Sequence, residues 1–132
     1  MRQKGFATLE VILMVMVIGI LASIAVPRFT NVTAAANTAK IQTDLSTIDT
    51  AIAIYTMEKG TPPDELDDLK DYFQGKTAPK PPVGKYYVKG VIQSDSLAST
   101  DVYKVDTDST TGDTRAFLGT NTAENFYVQK SS

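Results

Sequence analysis

The sequence contains no cysteine, no histidine and no tryptophan. Without cysteine there is neither a disulfide framework nor a thiolate metal site. Losing histidine as well removes the commonest general base, the commonest metal ligand and, with cysteine, the most nucleophilic side chain. A carboxylate pair is what remains for acid–base chemistry, so composition argues against an enzyme. An excess of one charge is lacking too: 13 basic against 15 acidic residues give a formal net charge of −2. Nucleic-acid binding would call for a clustered basic surface, and no such cluster stands in the chain. At 132 residues there is room for about one domain once a membrane segment is set aside.

What is present is a long apolar run. Residues 6–26 carry a single charge, Glu10. As a helix these residues would extend roughly 31 Å, about the thickness of a hydrocarbon core. Arg2 and Lys4 precede the run, which favours a cytoplasmic N-terminus, with the remainder of the chain outside. A carboxylate in such a segment costs a few kcal/mol even on lenient insertion scales (about 2.5–3.5), and three readings deal with it differently. A secretory signal peptide, cut after small residues such as Ser23 and Ala25, leaves it unexplained. A plain membrane anchor tolerates it one turn into the helix, within reach of the interface.

The third reading gives it a role. Lys4-Gly5-Phe6 followed by Ala7-Thr8-Leu9-Glu10 resembles the leader junction of the type IV pilin and pseudopilin family. The resemblance covers residues 2–30 and implies a leader, Met1–Gly5, removed by a prepilin peptidase between Gly5 and Phe6. It further implies N-methylation of Phe6, an assembly role for Glu10 as the fifth residue of the processed chain, and a helix bent or loosened at Pro27. Physically, cleavage would create a cationic amine on Phe6, which Glu10 of a neighbouring subunit can pair with. A paired charge is tolerated where an unpaired one is not, and it enforces register. Losing Arg2 and Lys4 would leave 11 basic against 15 acidic side chains, a net charge of −4.

After Pro27 the pattern becomes amphipathic. Ile41, Leu45, Ile48, Ile52 and Tyr55 step by four and three, one face of an α-helix. Val32 and Ala34-Ala35-Ala36 are expected to continue this stripe backward, and Gly60 before Pro62-Pro63 to stop the helix. The helix is therefore expected from about Phe6 to Lys59. Thr61 is the expected cap of a short helix over 61–73, with Leu66, Leu69 and Phe73 inward. Residues 74–84 hold Pro79, Pro81, Pro82, Gly75 and Gly84 and read as a loop. Strand-like runs follow at 85–93, 101–106, 115–118 and 125–129, with residues 106–113 as a hairpin tip.

The expected fold is α+β: a long N-terminal helix, its first half transmembrane, with a small antiparallel sheet packed on its second half. The domain reading is 1–5 leader, 6–27 transmembrane or filament-core helix, and 28–132 extracytoplasmic domain. No cofactor is expected. Asp106, Asp108 and Asp113 suggest calcium, but an EF-hand needs glycine at its sixth place and an acid at its twelfth. Those places hold Thr111 and Phe117, so ordinary turn residues explain the stretch better. The resemblance implies a non-enzymatic filament subunit, a single-pass membrane precursor that ends in a cell-surface filament. Its partners would be further copies of itself, the prepilin peptidase and a membrane assembly platform. Secretion, adhesion, motility and DNA uptake all remain open as the filament's use. The absence of cysteine departs from Gram-negative pilins and moves weight toward secretion pseudopilins, Gram-positive pilins or competence pilins. A signal-anchored, monomeric extracytoplasmic binding module is the alternative.

Overall fold

The computed structural model describes residues 2–129, with side chains for 4–24 and 29–129. A single α-helix, α1 (Arg2–Lys59), is followed by short elements. The chain falls into two compact units, Met1–Val32 and Thr33–Ser132.

In the first unit the helix carries Leu, Ile, Met and Val side chains all round, with no proline before Pro27. None of the described side chains over 4–24 is buried: Phe6 is 71 % exposed and Ile24 62 %. An 18-residue window has a mean hydropathy of 2.7, long and apolar enough to cross a membrane. In lipid a helix satisfies its own main chain, so this exposure has no cost there; in water it would be a severe one.

In the second unit α1 buries one stripe: Ala34, Thr38, Ile41, Leu45, Ile48, Ala51 and Ile52. The stripe runs as expected from Ile41 on and at Ala34, but Val32, 66 % exposed, and Ala36, also exposed, lie off it, and Ala35 is half-buried. Nine residues separate Val32 from Ile41, and nine steps of 100° bring it to the opposite side of the helix. Ala34 and Thr38 take its place. Gly60 ends the helix with φ +78°, its amide donating to Thr56 O at 2.8 Å. That left-handed closure suits a residue without Cβ.

The short helix begins later than expected. It is the 3₁₀ helix η1 (Leu66–Tyr72), capped by Glu65 rather than Thr61. Pro62 and Pro63 each disfavour helical backbone at the residue before them, so the turn cannot close until both are passed. Asp68 Oδ2 accepts from the amides of Asp64 and Glu65, both at 3.1 Å. Leu69 and Phe73 are buried as expected, Leu66 partly. A further 3₁₀ turn, η2 (Gln74–Lys76), lies within the expected loop.

The strands form two antiparallel pairs. Residues 85–93, expected as one strand, fold back at Lys89 (φ 51°) and Gly90 (φ 80°). This makes a hairpin of β1 (Tyr87–Val88) and β2 (Val91–Ile92), with Tyr87 opposite Ile92. Two consecutive left-handed residues make the turn that matches strand twist. The second hairpin joins β3 (Lys104–Thr107) to β4 (Thr114–Phe117), in register from Lys104↔Phe117 to Thr107↔Thr114. Its tip lies where expected. Residues 125–129 are not a strand. Their carbonyls instead accept the amides of the first turn, Lys89 N to Asn125 O and Gly90 N to Tyr127 O (3.0 Å). Gly90 is required for this contact, since a Cβ there would stand 2.9 Å from Gln129 Cβ.

Both hairpins and the loop cover the α1 stripe. Leu69, Phe73, Leu97, Tyr103, Ala116, Leu118, Ala123 and Phe126 close one core with it. This is the expected α+β architecture: a long helix and a small antiparallel strand set.

Candidate assembly site

The first unit holds Phe6 and Glu10, the residues expected from the sequence to act in assembly. Phe6 and Glu10 are four residues apart and share one side of α1. No hydrogen bond or ion pair joins Glu10 to another described residue. It forms one end of a shallow depression lined by Leu13, Met14, Val17 and Ile18, so the one carboxylate of the apolar run 6–26 is exposed on an apolar surface. Gly5 and Phe6 lie within α1, and Thr8 Oγ1 donates to Lys4 O at 2.9 Å, spanning the Gly5–Phe6 bond. Pro27, the expected bend, lies outside the residues whose side chains are described.

The second unit is stitched by polar groups flanking the helical stripe. Asn37 Nδ2 donates to Lys85 O (2.9 Å) and Val83 O (3.3 Å). Buried Thr38 accepts from Tyr87 N at 2.8 Å and donates to Ala34 O at 2.7 Å. Lys40 reaches Lys80 O (2.9 Å) and pairs with Asp44. Tyr103 OH donates to Asp44 Oδ2 at 2.7 Å. Burial, then this bond to a carboxylate, raises the Tyr103 pKa above the ordinary phenol value. Asp49 accepts from Ala116 N (2.8 Å) with one oxygen and from Arg115 (3.1 Å) with the other. Arg115 also holds Glu124 in a fork of 2.7 and 2.9 Å. That bidentate bond lowers the Glu124 pKa to about 2 and raises that of Arg115. Sequence reasoning missed this cluster; its one local signal is an acid, Asp49, directly beside the apolar Ile48.

Asp106, Asp108 and Asp113 all lie on the β3–β4 hairpin, and two of them accept neighbouring backbone amides. Asp106 Oδ1 accepts from Thr107 N (2.7 Å) and Asp108 Oδ1 from Thr110 N (2.8 Å). Among the described residues no group of three or more Asp, Glu, His or Cys is placed to hold a metal ion. The tip is closed by Asp108 N to Asp113 O at 2.8 Å, a hairpin connection of turn residues.

Comparison with known proteins bears on this arrangement. Over 63 residues the chain is 43 % identical to "Type IV narrow pilus major component PilA5" of Thermus thermophilus, covering 47 % of this chain and 54 % of that one. Over 92 residues it is 27 % identical to "Type II secretion system core protein G" of Escherichia coli, covering 70 % and 63 %. The protein of that name from Vibrio cholerae is 31 % identical over 80 residues, covering 61 % and 55 %. These relatives are named as a type IV pilin and as core proteins of type II secretion systems, and the similarity supports the type IV pilin and pseudopilin family. The chain spans between about half and two thirds of the length of these relatives. No protein-family model matches the chain, and no solved structure matches it at comparable significance. The geometry to set beside these relatives has two parts: an apolar helix with one acid near its start, and a small hairpin domain built over the helix's amphipathic part.

Proposed function

We propose that this chain is the structural subunit of a type IV pilus-like filament, a pilin or major pseudopilin, and not an enzyme. It is a substrate of one: a prepilin peptidase cuts between Gly5 and Phe6, and Phe6 is N-methylated. The observation that carries the reading is an apolar helix without any buried side chain over 4–24, carrying Glu10 as its one acid. A surface of that kind needs lipid first and then other copies of itself, because every described side chain over 4–24 is exposed. Glu10 pairs with the Phe6 amine of a neighbouring copy, so that charge is neutralised only when subunits are in register. The precursor spans the cytoplasmic membrane once with its N-terminus inside, and copies pass to the filament through a membrane assembly platform.

The test is co-expression of tagged Glu10→Ala chains with wild-type chains in a host carrying the machinery. The tagged chain is expected to be processed and to stay in the membrane fraction. Its recovery in sheared filaments at the wild-type ratio would refute the role given to Glu10.

A further inference from the structure

We infer that Thr8 is a second assembly residue, whose hydroxyl is released by leader removal and donates to Glu10 of another copy. The inference rests on the filament reading above. In a helix a threonine hydroxyl reaches only the carbonyls three and four residues back. For Thr8 these belong to Gly5 and Lys4, and the bond is made to Lys4 O at 2.9 Å. Both carbonyls lie on the leader side of the Gly5–Phe6 bond. Cleavage there removes each main-chain acceptor that Thr8 can use within its own chain. Ser23 makes the contrast: its hydroxyl donates to Ile20 O at 2.7 Å, an acceptor the processed chain retains.

The freed hydroxyl lies in an apolar segment, where an unsatisfied donor is costly. Carbonyls further along a packed helix are already bonded within that helix. Over residues 6–26 the one side-chain carboxylate is Glu10. Thr8 cannot use its own, since residues two apart point some 200° away from each other. The acceptor is therefore Glu10 of a second copy. Glu10 then answers to two groups that cleavage exposes, the Phe6 amine and the Thr8 hydroxyl. Before cleavage the hydroxyl is occupied and the amine does not exist, so the uncut chain presents neither group.

Thr8→Val removes the hydroxyl and keeps the β-branched shape, Thr8→Ala removes both, and Thr8→Ser keeps the hydroxyl. Each full-length chain is expressed in an assembling host. N-terminal mass is read on the membrane fraction and the filament-to-total ratio on sheared material. Thr8→Val and Thr8→Ala are expected to be processed at Phe6 yet to fall roughly tenfold in that ratio, the loss of one bond to a charged acceptor. Thr8→Ser is expected to restore it. On a Glu10→Gln background, where the acceptor has lost its charge, the Thr8→Val loss should shrink to about twofold or less. Wild-type assembly of both hydroxyl-free variants, or a loss that multiplies fully with Glu10→Gln, would overturn the inference and point to water or lipid headgroups as the acceptor. A wild-type chain not cut at Gly5 would instead overturn the filament reading on which it rests.

Discussion

Replacing Asp49 by alanine tests how the hairpin domain is fastened to α1. Asp49 makes two separable contacts: one oxygen accepts the amide of Ala116, a residue with no exposed surface, and the other pairs with Arg115. An orphaned buried amide costs about 1–3 kcal/mol. The ion pair, with side chains 24 % and 27 % exposed, adds up to about 1 kcal/mol once solvent screening is allowed for. Asp49→Ala should therefore destabilise by about 1–4 kcal/mol. For a unit of this size the lower figure lowers Tm by at least about 4 °C. Asp49→Asn keeps an acceptor for Ala116 and should cost about 1 kcal/mol or less. The assay is thermal unfolding of the full chain in detergent, followed by the near-ultraviolet circular dichroism of the tyrosines. If the two variants lose the same stability, the backbone contact is not what fastens β4. If Asp49→Ala loses less than about 0.5 kcal/mol, the whole polar stitch is dispensable and the reasoning fails.

Three further outcomes follow from the same unit. Phe126→Ala, at a fully buried position, should cost about 3–5 kcal/mol in denaturant titration. Gly90→Ala should be worse than Gly75→Ala: both have positive φ, but a Cβ at Gly90 meets Gln129 at 2.9 Å while Gly75 faces open space. The difference in their melting temperatures isolates that contact. Glu124 has a folded pKa lowered to about 2, so its contribution is present above the ordinary carboxylate value of 4.5. It is lost as pH falls from about 4.5 through about 2. Glu124→Gln should flatten the acid limb of a Tm-against-pH curve in that window, and an unchanged limb would contradict the Arg115 pairing.

The long helix was legible because its signals are local and periodic: an apolar run, then a stripe at steps of three and four, then glycine. Val32 was misplaced by counting apolarity without its angle. The later start of the short helix follows from two adjacent prolines, whose effect on the residues before them outweighs a good capping residue at Thr61. Lys89-Gly90 is a weak turn signal beside Asn-Gly, so the β1–β2 hairpin was hidden inside one strand-like run. The alternation in 125–129 reflects packing over that turn rather than a ladder. Asp49 and Arg115 meet across 66 positions, a contact for which no local pattern exists. The proposed roles of Gly5, Phe6 and Glu10 rest on a signal of another kind. Their chemistry is carried by spacing along one helix, which tertiary packing does not rearrange.

The central claim is that this helix becomes a filament core after its first five residues are removed. Intact-mass spectrometry of the chain recovered from sheared surface filaments tests it most directly. The account predicts a chain beginning at N-methylated Phe6. A functional chain that stays monomeric and begins at Met1, or near Val26, would contradict it.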